Sequence, residues 1–213
     1  MRIAIEKNAK ILALFAIACT AAVGLVNFLT KDRIIEQEQK QLLKTLNSII
    51  APEKYNNEMY KDCITIKDPN FSNGTEYTAY LAKYDDKPVA AALTATAPDG
   101  YNGNIQLLVA INIDGSISGV RVLSHKETPG LGDKIDRKKS DWIDNFSGKT
   151  IMSETDNRWA VAKDGGMFDQ FTGATITPRA VVGSVKQTAL YFMKNHAVLF
   201  AQENACRGND EDE

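Results

Sequence analysis

The chain has 213 residues, of which 44% are hydrophobic and 24% are charged, and these proportions exclude a disordered or fibrous protein. Its formal net charge is −2, so it lacks the basic excess of a nucleic-acid-binding protein, and we predict no nucleic-acid partner. Three scattered cysteines and two histidines form no cluster with metal-ligand spacing, so the sequence predicts no metal site.

One uninterrupted apolar segment, residues 11–30, carries no charged side chain and lies between Lys10 and Lys31. A helix of about 20 apolar residues spans the roughly 30 Å hydrocarbon core of a bilayer. The alternative is a cleaved signal peptide, whose apolar region has only about 7–15 residues and ends at a site with small residues. Because this segment is longer and lacks such a site, the sequence predicts a retained transmembrane helix preceded by residues 1–10.

The basic residues on the two sides of this segment are nearly balanced in number. Such a balance leaves the orientation open, since a long domain translocates largely regardless of charge. The basic residues before the segment are Arg2, Lys7 and Lys10, and those after it are Lys31, Arg33, Lys40 and Lys44.

Two cysteines lie outside the apolar segment, Cys63 and Cys206. Outside the cytoplasm an even pair indicates a disulfide, whereas the alternative is two unrelated buried thiols. The pattern alone leaves both interpretations open. Cys19 lies inside the apolar segment, and we expect it to remain a free thiol.

Residues 31–52 predict a stem helix that ends before Pro52. Such a helix has two alternative roles, which are binding a partner and packing on its own domain. The apolar residues that recur at helical spacing are Ile34, Ile35, Leu42, Leu43, Leu46, Ile49 and Ile50.

The remaining chain predicts an α+β domain at residues 53–206, followed by an acidic tail at 207–213. Its long C-terminal helix is expected at 178–200, with Thr177 as the N-cap and Pro178 at the first helical position. Short apolar runs separated by turn residues predict an antiparallel meander of strands at 75–84, 89–97, 105–113 and 116–124, then a short helix at 140–146 and a strand at 158–163.

The segment 169–179 is the most informative for chemistry. Gly173 and Ala174 leave the backbone approachable, and a helix start favours a phosphate, to which Arg179 would add positive charge. The alternative is that this segment only begins a helix, and that its threonines have no role beyond capping that helix. The hydroxyl groups in question belong to Thr172, Thr175 and Thr177.

Two motifs carry a resemblance to a known family. The sequence Asp169-x-x-Thr172-Gly173-Ala174-Thr175 resembles the acceptor motif at which flavin transferases attach FMN to a threonine through a phosphoester bond. Residues 124–134 (SHKETPGLGDK) resemble the second signature of the same FMN-binding domain. Behind a single N-terminal anchor, the two motifs resemble the G subunits of the Rnf/Rsx ion-translocating electron-transport complexes, and more distantly the C subunits of the sodium-pumping NADH:quinone reductases.

The resemblance implies a role for each motif residue. Thr175 would carry covalent FMN, and the transferase would recognise Asp169 and Thr172. No catalytic residue is implied, because the flavin performs the redox chemistry. The further cofactor-binding residues would be Glu127, Thr128, Gly130, Leu131, Gly173, Ala174 and Thr177.

The resemblance also implies a location and a function. The chain would span a bacterial inner membrane once, with a cytoplasmic N-terminus and a periplasmic domain containing a Cys63–Cys206 disulfide. It would relay electrons between the other members of a complex that couples electron transfer to ion translocation, and it would not act as an enzyme alone. The competing hypothesis is a non-redox, membrane-tethered scaffold that binds a partner through its stem.

Overall fold

The computed structural model describes residues 2–68, 71 and 75–206, and the predicted acidic tail at 207–213 lies outside these residues. The chain divides into two units, Met1–Leu42 and Leu43–Glu213. The described residues of the first unit all belong to helix α1, Arg2–Asn47. The predicted transmembrane segment and the start of the predicted stem are therefore parts of one continuous helix.

Within the described residues, α1 is the one helix that is long and apolar enough to cross a membrane. Apolar side chains on all sides of it are exposed, among them Leu12, Phe15 and Ile17. The hydroxyl of Thr20 donates to the carbonyl oxygen of Ala16 at 2.7 Å, so this polar group is satisfied inside the helix. These features suit a hydrocarbon environment, where every polar group needs an internal partner.

The second unit is built on a five-stranded antiparallel sheet in the order β1-β2-β3-β4-β5, which confirms the predicted α+β fold with a meander. Four strands correspond to the predicted ones. The first strand was not predicted, because four residues are too short to show a period. The strands are β1 Cys63–Ile66, β2 Tyr77–Tyr84, β3 Lys87–Gly100, β4 Gly103–Asn112 and β5 Ile117–Ser124.

The long C-terminal helix, α2, spans Ile176–Ala201 and begins earlier than predicted. Thr175 occupies the N-cap position, so the prediction that Thr177 caps the helix is wrong. Thr177 lies in the first turn and is fully buried. Pro178 follows it and is tolerated there, because an N–H in the first turn has no partner within the helix.

The prediction of a strand at 158–163 is also wrong. This segment folds back on itself, with the N–H of Met167 donating to the carbonyl of Arg158 at 2.9 Å. Gly165 makes the reversal possible with a φ of 83°. A short 3-10 helix, Ala162–Asp164, occupies the end of the segment, and the short helix predicted at 140–146 is the 3-10 helix Trp142–Phe146.

Helix α2 packs on one face of the sheet, chiefly against β3 and β4. Its Val181, Val185 and Phe192 join Leu93 and Val109 of the sheet in the hydrophobic core. Each fully buried side chain of this kind stabilises the fold by about 1.5–3 kcal/mol. This packing fixes the position of the helix and therefore of its N-terminus.

The other face of the sheet carries small residues. Ala92, Ala110 and Gly119 are consecutive partners across β3, β4 and β5. Ile49 lies directly over this row, because a Cβ on Gly119 would be 2.9 Å from the Ile49 Cβ. Ser118 donates its hydroxyl hydrogen bond to the Ile49 carbonyl at 2.5 Å. The end of the predicted stem thus packs on its own domain.

Cys63 and Cys206 are joined by a disulfide in the structure, with their Cα atoms 5.4 Å apart and a sequence separation of 143. The N–H of Ala205 donates to the carbonyl of Cys63 at 2.8 Å, so the chain that follows α2 runs beside β1. The Asn204 side chain adds a hydrogen bond to the Lys61 carbonyl at 2.8 Å. Cys19 is a free thiol.

We predict that Cys63→Ser, Cys206→Ser and the double variant lower the free energy of unfolding of the purified protein by the same amount, about 2–5 kcal/mol, because each releases one long closed loop. Denaturant unfolding measures the change. Cys19→Ser is the control and should leave the stability unchanged. Finding both Cys63 and Cys206 alkylatable in the non-reduced protein would contradict the prediction.

Candidate functional site

A pocket of about 520 Å³ opens beside the N-terminus of α2. Its volume lies in the range of roughly 300–1,000 Å³ that is typical of ligand sites. Three segments form it: the β3–β4 turn, the loop after β5, and residues 173–177, which lead into α2 and begin it. The residues that line it are Tyr101, Glu127, Thr128, Leu131, Gly132, Gly173, Ala174, Thr175, Ile176 and Thr177.

Hydrogen bonds join the β3–β4 turn to the loop after β5. The backbone N–H of Asn102 donates to Glu127 Oε1 at 3.1 Å. The Asn102 side chain also donates to the Thr128 hydroxyl at 3.3 Å. The loop is therefore held at two consecutive residues by one turn of the sheet.

A further hydrogen bond joins the loop to α2. The Thr177 hydroxyl donates to Glu127 Oε2 at 2.5 Å, and Glu127 is only 5% exposed. Both carboxyl oxygens of Glu127 thus accept a hydrogen bond, which buried polar groups require. Gly132 is needed here, because a Cβ at this position would be 2.5 Å from Glu127 Oε2.

The segment before α2 forms a tight turn, in which the N–H of Ala174 donates to the carbonyl of Phe171 at 3.1 Å. Gly173 adopts a φ of 80° at the third position of this turn, where a glycine is favoured. Thr175 follows this turn as the N-cap of α2, and its side chain makes no capping hydrogen bond. The Thr175 side chain therefore leaves the first-turn N–H groups of Ile176 and Thr177 uncapped, whereas Pro178 carries no N–H.

The three threonines of this segment differ in what their hydroxyls do. Thr177 is buried and bonded to Glu127. Thr172 is exposed and lies outside the pocket lining, as does Asp169. Thr175 lines the pocket, and its hydroxyl has no hydrogen-bond partner within the part of the chain that the structure describes.

Two residues lie elsewhere than the sequence predicted. Gly130 does not line the pocket but forms a turn, with its N–H donating to Asp133 Oδ1 at 2.8 Å. Arg179 was expected to add positive charge at the site, and it instead forms a bidentate ion pair with Asp164 at 2.7 and 2.9 Å. The guanidinium of Arg179 holds the pKa of the Asp164 carboxyl below its usual range.

Three lining residues, Tyr101, Gly132 and Ile176, were absent from the set of cofactor-binding residues that the resemblance implied. Tyr101 and Ile176 are exposed, as is Leu131, so these three side chains give the pocket an apolar rim. The sequence signal for Tyr101 is its place in a turn that connects two strands, because such turns often carry binding residues. An apolar rim and free helix N–H groups together fit a ligand with a flat ring system and a phosphate, such as FMN.

Comparisons with known proteins agree with this geometry. Residues 100–189 match the FMN-binding domain family, and residues 1–49 match the RnfG N-terminal region. All the residues that line the pocket lie inside the first of these two ranges.

Several relatives are named as G subunits of ion-translocating oxidoreductase complexes. The protein from Vibrio atlanticus is 51% identical over 205 residues, which cover 96% of this chain and 98% of the relative. The one from Shewanella loihica is 51% identical over 97% of this chain and 98% of its own length. The one from Salmonella typhi is 52% identical over 88% of this chain and 90% of its own length.

Identity at this level over nearly the whole length confirms the family resemblance of the two motifs. The matched FMN-binding domain identifies FMN as the ligand class, and the long apolar helix agrees with membership of a membrane electron-transport complex. The chain belongs to the RnfG family, the G subunits of the Rnf ion-translocating oxidoreductase complexes.

Proposed function

We propose that this protein carries FMN bound covalently to Thr175 and relays electrons within a membrane complex that couples electron transfer to ion translocation. The observation that carries the proposal is the Thr175 hydroxyl, which lines the pocket at the N-terminus of α2 without a hydrogen-bond partner in the described chain. Its neighbour Thr177 is already engaged with Glu127.

The position of Thr175 suits a phosphate. The N-terminus of a helix carries a partial positive charge of about half an elementary charge and presents unpaired N–H groups. A phosphate esterified to the N-cap residue would lie against these groups, the usual arrangement at phosphate sites. Since Arg179 is paired with Asp164, the helix itself supplies the positive potential in this proposal.

The attachment is a transfer of FMN from FAD. The Thr175 oxygen forms a bond to the phosphorus of the FMN half, the pyrophosphate bond breaks, AMP leaves, and the hydroxyl proton passes to solvent. No electron is transferred in this step. A flavin transferase with a divalent cation would stabilise the charge that develops at phosphorus. Asp169 and Thr172, both exposed, are accessible for that enzyme to recognise.

The remaining pocket residues would hold the flavin in place. Leu131, Tyr101 and Ile176 offer apolar surface to a flat ring, and Thr128 offers a hydroxyl group. Glu127, whose two oxygens already accept hydrogen bonds, holds the loop in place beside the flavin. The bound flavin supplies the electron chemistry, and this chain binds it and shields one side of it from water. The predicted roles of Gly173 and Ala174 fit as well, because small residues leave the backbone beside Thr175 open.

The proposed location is the one that the family resemblance implies. We place the chain in a bacterial inner membrane, crossing it once through α1, with its N-terminus in the cytoplasm and the domain in the periplasm. The Cys63–Cys206 disulfide supports an oxidising compartment for the domain. The other members of the complex are its partners, and a covalent bond prevents loss of the cofactor into the open periplasm.

We predict that Thr175→Ala abolishes the FMN adduct, because it removes the acceptor oxygen and leaves the fold intact. Intact mass and fluorescence of the protein band on a denaturing gel measure the adduct, and circular dichroism checks folding. Thr177→Ala is the matched control and should retain the adduct, while leaving Glu127 without one donor at a cost of about 1–3 kcal/mol.

An FMN-sized adduct on Thr175→Ala would contradict the assignment. A wild-type protein without any flavin, isolated from cells that contain the transferase, would favour the scaffold hypothesis instead.

We also predict that Gly132→Ala perturbs the pocket, because its Cβ would meet Glu127 Oε2 at 2.5 Å and the Thr177 hydroxyl at 2.8 Å. The absorption spectrum of the bound flavin should change, and the midpoint of thermal unfolding should fall. Gly183→Ala in α2 is the control, since its Cβ would meet nothing within 4 Å. Identical spectra and midpoints for Gly132→Ala and the wild type would count against this pocket.

A further inference from the structure

We propose that Trp142 is a positioning residue for flavin attachment, which holds the acceptor segment 169–175 in the conformation that the flavin transferase modifies. The inference rests on the proposed function and extends it to a residue outside both sequence motifs.

Trp142 contacts the acceptor segment at two points. Its indole N–H donates to the backbone carbonyl of Asp169 at 2.7 Å. The edge of its ring meets the ring of Phe171, with the centroids 5.2 Å apart. Trp142 is 7% exposed and Phe171 is 8% exposed, so both contacts are shielded from water. One side chain therefore holds two residues of the recognised sequence.

These contacts anchor a segment whose recognised side chains are directed to solvent. Asp169 and Thr172 are exposed, and the turn between Phe171 and Ala174 is closed by one backbone hydrogen bond of 3.1 Å. Because Trp142 holds the backbone of the segment on its buried side, the segment can present the Asp169 and Thr172 side chains in one arrangement. The entropy cost of ordering the loop is then met on folding rather than when the transferase binds.

Trp142 is itself held firmly. Its backbone N–H donates to the Ser140 hydroxyl at 3.2 Å. Its ring meets Phe146 edge-on at 5.5 Å, and Phe146 stacks on Phe168 at 4.4 Å. Because phosphoryl transfer requires the Thr175 oxygen to be aligned with phosphorus, a small displacement of the acceptor segment reduces the productive fraction.

Trp159 offers a matched control. It belongs to the same aromatic cluster, is 4% exposed, and donates its indole N–H to the Thr150 carbonyl at 3.1 Å, away from the acceptor segment. Trp142→Phe and Trp159→Phe each remove one indole hydrogen bond and keep an aromatic ring. Only the first removes a contact with residues 169–175.

The test uses the full-length protein, produced without the transferase and incubated with flavin transferase, FAD and Mg²⁺. Intact mass gives initial rates of FMN attachment at several protein concentrations. We expect Trp142→Phe to lower kcat/KM for this protein as the substrate by about tenfold. Trp159→Phe should keep the wild-type value, although both variants lower the thermal midpoint.

An unchanged rate for Trp142→Phe, or an equal loss for both variants, would overturn the inference. Should Trp142→Phe not fold, Phe171→Leu takes its place, since it keeps the indole bond, removes the ring contact and is expected to slow attachment. A wild-type protein that accepts no FMN would instead refute the proposed function.

Discussion

The architecture of the site depends on one buried hydrogen bond, from the Thr177 hydroxyl to the Glu127 carboxyl at 2.5 Å. It joins the loop after β5 to the first turn of α2 across 50 residues of sequence. Burying a carboxyl group without partners is costly, and here the second oxygen is satisfied by the Asn102 N–H at 3.1 Å. The three segments around the pocket are therefore held together by a single side chain.

The same bond distinguishes the hydroxyl groups at the helix start. Because Thr177 is used to hold the loop, its oxygen is not available to a ligand, whereas Thr175 lines the pocket without a partner among the described residues. Packing of α2 on β3 and β4 fixes where the helix N–H groups point. The sheet thus fixes the position of the helix, the start of the helix is where we propose the phosphate of FMN to lie, and the loop after β5 supplies an apolar wall through Leu131.

Local patterns predicted the long elements correctly, since the apolar runs of β2 to β5 and the period of α2 are long enough to identify. The local patterns gave wrong predictions where tertiary contacts determine the conformation of the chain. The 158–163 segment has strand-like composition, but Gly165 turns it back on itself. Threonine is a common N-cap residue, but the Thr177 hydroxyl instead donates a hydrogen bond to Glu127. Nothing in the sequence spacing of these two residues predicts that hydrogen bond. The motif around Thr175 predicted several of the residues that line the pocket, whereas the contact between Trp142 and the acceptor segment became apparent only from the structure.

We propose that Thr175 alone bears FMN at the start of α2. The most direct measurement is fragmentation mass spectrometry of the 164–179 peptide from the protein purified from its native membrane, because this peptide contains all three threonines. We predict an FMN phosphoester on Thr175, with Thr172 and Thr177 unmodified. An FMN phosphoester on Thr172 or Thr177, or an unmodified peptide, would contradict it.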